Sequence, residues 1–247
     1  MERIVSWIEN TLIPKVGGFS DSRYFRALKR GFMVIMPLTI IGSIFLLITD
    51  FPLPGYADFM ANIFGENWTS YVESAYRATF NSMGFILAAT FAYSLAETYE
   101  MDGLTSAVLS VVSYIIVTPK EVTTESGEIV SKVLSFDWLG TQGVITALLV
   151  GTLTVEVIRF VYRKGWTIKM PESVPSMVSQ SFSSLIPGFM VVTVMLVLSG
   201  FARMFANSLP ELIYRIIQIP LEGLTASLFA ITIVAGLNGF LWWFGIH

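Results

Sequence analysis

The stretch Gly31-Phe32-Met33-Val34-Ile35-Met36-Pro37-Leu38-Thr39-Ile40-Ile41-Gly42-Ser43-Ile44-Phe45-Leu46-Leu47-Ile48-Thr49 carries no charged side chain. A helix of about 20 apolar residues, rising 1.5 Å per residue, crosses the hydrocarbon core of a bilayer. Further uncharged blocks follow at Ala78 to Ala96, Leu104 to Thr118, Trp138 to Val155, Ser173 to Ala202 and Gly223 to Ile246. The pattern predicts an all-α, polytopic membrane protein with about six transmembrane helices plus amphipathic interfacial helices. Leu104 to Thr118 is short for a crossing and reads as a thin span or a re-entrant segment. Ser173 to Ala202 is longer than one crossing needs, and Pro187-Gly188 inside it predicts a tilted or kinked helix.

Composition argues the same way. The chain has 247 residues, of which 54% are apolar and 13% charged, with a mean hydropathy of +0.68. A soluble domain is about a quarter charged, and here charge is missing in long blocks instead of being diluted evenly. There is no cysteine, which excludes disulfides, thiolate metal sites and a cysteine nucleophile on this chain. The formal net charge of −3 argues against nucleic acid as a partner. No phosphate-binding loop, dinucleotide fingerprint, nucleophile elbow or metal-ligand spacing occurs, so neither a cofactor nor a metal is expected. Met1 to Arg30 lacks the pattern of a signal peptide and is expected to be retained.

The basic residues orient the spans. Arg23, Arg26, Lys29 and Arg30 precede the first block, and Arg159, Arg163, Lys164 and Lys169 lie between the fourth and fifth. Placing both clusters in the cytoplasm requires an even number of crossings between them, so Leu104 to Thr118 counts as a span. Lys120 and Lys132 then fall outside. Ile4, Ile8 and Leu12 make a stripe with Val5 and Trp7, as in a helix lying on the membrane. Leu209 to Leu221 reads as a second interfacial helix, with Glu211 and Arg215 paired at i, i+4, Pro210 at its start and Pro220 at its end. The expected division is a cytoplasmic amphipathic segment over 1–30, five spans over 31–206, an interfacial linker over 207–221 and a sixth span over 222–247.

Few residues suit chemistry. His247 is the only histidine, placed at the end of an apolar block. Its imidazole suits proton transfer, although an interfacial histidine without a role fits the same position. Ser176, Gln180 and Ser183 recur at helical spacing at the start of the fifth block, with Ser179 and Ser184 nearby. Such a polar stripe lines a wet cavity or packs against another helix; hydroxyls and an amide also suit a sugar, which needs neutral donors and acceptors. Glu97, Glu100 and Asp102 read as a solvated turn, and Glu156 with Arg159 as a snorkelling pair. Gly42, Gly84 and Gly151 let helices approach closely.

Three motifs carry a family likeness. Phe25-Arg26-Ala27-Leu28-Lys29-Arg30-Gly31, running on through Met36-Pro37-Leu38 to Phe45, resembles the first span of the sugar-transporting enzyme IIC components of the bacterial phosphotransferase system. The likeness is to their lactose, cellobiose and N,N'-diacetylchitobiose branch. Lys169-Met170-Pro171-Glu172-Ser173-Val174-Pro175, with Ser181-Phe182 and Leu185-Ile186-Pro187-Gly188, is similar to that branch at its fifth span. Trp243-Phe244-Gly245-Ile246-His247 is similar to the family's histidine motif.

The resemblance implies a homodimeric permease of the bacterial inner membrane that binds a disaccharide at mid-membrane and presents its 6-hydroxyl to a phosphocysteine on a separate IIB protein. It implies that His247 contacts the sugar near that hydroxyl. Members of the family continue past this histidine with further spans and a glutamate that receives the hydroxyl's proton, so the chain is expected to be the N-terminal part of such a permease and inactive alone. An ion-coupled transporter would instead need carboxylates inside the spans, and a non-catalytic membrane dimerisation fragment would need neither.

Overall fold

The computed structural model describes residues 22–124, 126–171 and 173–225 together with Thr232 and Gly236. The expected amphipathic helix around Ile4, Ile8 and Leu12, most of the sixth span and His247 lie outside the described residues.

Helix α1, Arg23–Thr49, opens at Ser22, whose Oγ accepts the Phe25 N–H at 3.2 Å. That cap satisfies one of the free N–H groups of a helix start. The helix therefore begins well before the uncharged block, and Arg23, Arg26, Lys29 and Arg30 fill its first turns. Its full length is about 40 Å, more than a bilayer core requires. Short helices α2, Tyr56–Phe64, and α3, Trp68–Thr79, then return along its far end. A single 3₁₀ turn, Phe80–Ser82, leads into α4, Met83–Thr98. Helix α5, Gly103–Val117, is the short third block in space, and α7, Val144–Lys164, follows a small helix α6, Phe136–Leu139.

Helix α4 occupies the middle, packed against α1, α5 and α7. Its residues Leu87, Ala88, Phe91, Ala92, Leu95 and Ala96 are buried and head the core. Between spans in lipid there is no water to expel, so close van der Waals packing has to hold the helices together. Small residues make this approach: a Cβ on Gly31 would meet the Phe91 backbone at 3.2 Å, and one on Gly151 would meet the Phe91 ring at 2.7 Å. Ser106, Ser110 and Ser113 form a fully buried stripe on α5, where Ser110 donates to the Ala88 carbonyl at 2.7 Å. The Ser106 hydroxyl donates to the Asp102 carbonyl at 2.8 Å, and the Ser113 hydroxyl accepts from Thr154 at 3.4 Å.

Tyr114 is the largest fully buried side chain among the described residues. Its hydroxyl donates to the Trp138 carbonyl at 2.5 Å, with the Gly143 carbonyl at 3.3 Å, and so ties the end of α5 to the turn that starts α7. Tyr114→Phe leaves that carbonyl pair without its buried donor. The expected loss is about 1–3 kcal/mol of stability, read as a lowered unfolding midpoint in detergent.

The segment between α5 and α6 contains a two-stranded antiparallel hairpin, β1, Glu121–Thr123, and β2, Ile129–Ser131, with Val122 opposite Val130. Gly127 turns it at φ 83, in the left-handed region that glycine enters without strain. The long fifth block divides into α8, Ser176–Ser183, and α9, Leu185–Arg203. The division falls at Ser184 and not at the proline: Pro187 sits in the first turn of α9, where its missing N–H has no helical partner to lose. α9 packs on α5 and α7.

Helix α10, Leu209–Thr225, starts where expected, with the Ser208 hydroxyl accepting the Glu211 N–H at 3.3 Å. Arg215 pairs with Glu211 at 2.5 Å. The helix continues past Pro220 instead of ending there; one missing N–H is a tolerable loss in a membrane helix.

Arg23–Thr49, Thr141–Lys164 and Val178–Arg203 are long and apolar enough to cross a membrane, and Gly103–Val117 is a shorter apolar helix. Large apolar side chains on α1 (Met33, Ile40, Ile44, Leu47) and on α9 (Phe189, Leu196, Val197, Phe201) point outward, which water would penalise and lipid does not. The protein is an all-α, polytopic membrane protein.

Candidate functional site

The polar chemistry of the bundle gathers at one end, around the turn Glu97 to Asp102 that joins α4 to α5. Glu100 there adopts φ 58, an uncommon left-handed backbone for a residue with a side chain. Glu97 and Glu100 are exposed, as a solvated turn requires, but Asp102 is half-buried and fully engaged. Its Oδ1 accepts the Leu104 N–H at 3.0 Å, capping α5 in the manner of short acidic residues at helix starts. Its Oδ2 accepts the Thr105 hydroxyl and, from another part of the chain, Nε2 of Gln180 at 2.8 Å.

Burial alone would push the Asp102 carboxyl up. The bonds from Thr105, Leu104 and Gln180 outweigh it and hold the group below its ordinary value, because hydrogen bonds to a carboxylate favour the ionised form. A depressed pKa means stability that is complete above the unfolded value of 3.8 and is lost as pH falls through the folded one. Asp102→Asn, which keeps a capping oxygen but removes the charge those bonds favour, is therefore expected to lower stability at neutral pH. The gap between the two proteins should close as the pH drops below the unfolded value. Thermal melts of both proteins from pH 7 down through the unfolded value of 3.8 and below check this.

Gln180 belongs to α8, so the sequence-expected polar stripe lies beside this turn. Ser176 opens α8. Ser183 closes it, donating to the Gln180 carbonyl at 2.8 Å. Gln180 is exposed and Ser183 half-buried. With Nε2 given to Asp102, the Gln180 amide oxygen has no hydrogen-bond partner among the described residues, and the Ser183 hydroxyl also meets the Tyr162 phenol. His247, the fourth expected site residue, lies outside the described residues, so its relation to α8 is not part of this geometry.

A second polar knot adjoins the first. Glu156 on α7 accepts the Tyr24 hydroxyl at 2.8 Å, the Tyr99 hydroxyl at 2.7 Å and a guanidinium N–H of Arg159 at 3.1 Å. The Arg159 guanidinium lies over the Tyr99 ring at 4.1 Å and that of Arg23 at 4.9 Å, both within cation–π range. Burial, then the bonds to Tyr24 and Glu156, push the Tyr99 phenol well above its ordinary value. The phenol is therefore a permanent donor in this knot. Glu156 joins α1, the end of α4 and α7 at once, a larger role than a snorkelling pair with Arg159.

Asp102 and Tyr99 thus pin the same turn from two sides. Sequence reading did not single out Tyr24 or Tyr99, and their separations of 57 to 132 residues from their partners carry no periodic signal. Among the described residues no group of histidine, aspartate and glutamate is arranged to hold a metal.

Comparison with known proteins places this geometry in context. The family model described as "Phosphotransferase system, EIIC" matches residues 29–247. The putative permease IIC component YwbA of Bacillus subtilis (strain 168) is 36% identical over 97% of this chain and 55% of its own length. The cellobiose-specific EIIC component of Geobacillus stearothermophilus is 33% identical over 100% of this chain and 56% of its own. The crystal structure of the transporter ChbC, the IIC component from the N,N'-diacetylchitobiose-specific phosphotransferase system, superimposes with a TM-score of 0.84 at 37% identity, over 98% of this chain and 57% of that one. The chain spans a little over half the length of these relatives.

Proposed function

The chain belongs to the phosphotransferase system EIIC family, and on that premise we propose that it forms part of a membrane permease that moves a disaccharide as a IIB protein phosphorylates it. The observation that carries the reading is the agreement of fold and sequence with ChbC across nearly the whole chain. Cellobiose, diacetylchitobiose and lactose are the substrate types this reading names.

In this mechanism the sugar's 6-hydroxyl oxygen attacks the phosphorus of a phosphocysteine on IIB. A P–O bond forms, the P–S bond breaks and the cysteine leaves as a thiolate, while the hydroxyl's proton passes to the glutamate that members of the family supply. The chain has no cysteine, so the phosphoryl donor lies outside these 247 residues. His247 acts at the reacting hydroxyl, and Ser176, Gln180 and Ser183 supply neutral donors and acceptors to the sugar. The protein lies in the bacterial cell membrane with its N-terminus in the cytoplasm and works as a homodimer. Residues 1–30 are the cytoplasmic segment, 31–206 the first five spans, 207–221 the interfacial linker and 222–247 the sixth span.

Two other readings have less support. An ion-coupled transporter needs an available carboxylate within the spans, and Glu156 is committed to Tyr24, Tyr99 and Arg159. A dimerisation fragment leaves the polar stripe of α8 without a task. Competition binding tests the proposal: the protein in detergent should bind labelled cellobiose or diacetylchitobiose, and unlabelled disaccharide should displace it well before glucose does. Equal displacement by glucose would count against a disaccharide site.

A further inference from the structure

The C-terminal end of α7 carries a feature that sugar phosphorylation does not use. A cavity of about 350 Å³ is lined by Glu156, Arg159, Phe160, Arg163 and Lys164. Arg159 and Arg163, and likewise Phe160 and Lys164, are four residues apart and so share neighbouring strips of one helix face. Within it Glu156 is already paired with Arg159 and accepts hydrogen bonds from two phenols. Arg163 and Lys164 form no ion pair among the described residues, and both are exposed. The cavity is therefore positive in balance.

Beside those cations lies an apolar floor. Gly165 ends α7 with φ 70, and the chain turns back so that the Trp166 ring meets Phe160 edge-on at 5.8 Å. Each ring is 49% exposed. The Lys164 ammonium stands 5.8 Å from the Phe160 ring centroid. Paired aromatic rings at the end of a candidate span belong at headgroup depth, where amphipathic aromatics settle. Cations just beyond them fit a phosphate group, which a guanidinium meets with two parallel hydrogen bonds.

We propose that this end of α7 binds an anionic phosphodiester headgroup, supplied by an anionic phospholipid of the surrounding bilayer. Phosphate oxygens sit on Arg163 and Lys164, and the acyl chains run down past Trp166 and Phe160. The occupant is a lipid because the cations and the exposed apolar rings are continuous: a soluble phosphate uses only the first, and a bilayer lipid uses both. Because the site abuts the Glu156 knot, a bound lipid steadies the junction of α1, α4 and α7.

The test uses the protein reconstituted in mixed vesicles of phosphatidylglycerol and phosphatidylcholine, with one lipid brominated and then the other. The quenching assigned to Trp166 is the difference between the protein and its Trp166→Phe variant. Two neighbouring cations, each favouring an anionic lipid about fivefold, give roughly a 25-fold preference for phosphatidylglycerol at Trp166. Arg163→Gln/Lys164→Gln should bring that preference to about one. Lys120→Gln/Lys132→Gln, on the loop at the opposite end of α7, should leave it unchanged. Equal quenching of Trp166 by the two lipids overturns the proposal, whether or not Arg163→Gln/Lys164→Gln folds. So does displacement of the brominated lipid by millimolar inorganic phosphate, which would make this a soluble-anion site. Equal lipid quenching with a Trp166 response to a phosphorylated carrier protein would assign the surface to a protein partner and overturns it too.

Discussion

Replacing Phe91 by alanine is expected to lower the unfolding free energy by about 3–5 kcal/mol, the largest stability loss from one substitution in the bundle. Phe91 is 3% exposed and stands on α4 between Gly31 of α1 and Gly151 of α7. A methyl group on Gly31 would strike the Phe91 backbone and one on Gly151 would strike its ring, so α1 packs directly on the α4 backbone and the ring fills the space against α7. Removing it opens a cavity that rigid helices cannot close. In lipid the loss is one of dispersion contacts more than of water exclusion. Leu196 on α9 is the control: it is 57% exposed, and Leu196→Ala should change stability by less than about 0.5 kcal/mol. Thermal unfolding in detergent compares the two. Equal losses would mean that α4 is not the centre of the packing.

His247→Ala is expected to lower sugar phosphorylation by about 10²- to 10⁴-fold, the range for a group that assists proton movement at the reacting atom. The measurement uses the longest reading frame that contains this chain, with phosphorylated IIB and labelled disaccharide. On the proposed function the loss falls on turnover more than on sugar affinity, and thermal stability stays within about 0.5 kcal/mol. A histidine that only anchors an interface would give the reverse, with melting lowered and turnover per folded molecule unchanged.

The spans were legible because lipid removes the need for charge, so uncharged blocks such as Gly31 to Thr49 stand out without any knowledge of packing. Their ends were less legible. α1 starts at Arg23 because Ser22 caps it, and a capping hydroxyl leaves no mark on a hydropathy pattern. The break in the fifth block falls at Ser184 because a proline in a helix's first turn is no obstacle, although Pro187 is the residue that draws the eye. The hairpin Glu121–Ser131 rests on two three-residue strands, too short to show alternation.

The candidate site divides in the same way. Gln180 and Ser183 were visible as a polar stripe, since helical spacing is a local property. Their neighbour Asp102 read as a solvated turn residue, because the bond from Gln180 spans 78 residues. The knot of Tyr24, Tyr99 and Glu156 was invisible for that reason: three helices assemble it, and no local pattern announces it.

Sugar uptake with and without phosphorylated IIB tests the central claim most directly. Cells or vesicles carrying the longest reading frame that contains this chain would receive labelled cellobiose, and the internal label would be separated into free sugar and sugar phosphate. The account predicts sugar phosphate inside, formed only when phosphorylated IIB is present and unaffected by collapse of the proton gradient. Accumulation of free sugar that needs no IIB and stops when the gradient is collapsed would contradict it and make the protein an ion-coupled transporter.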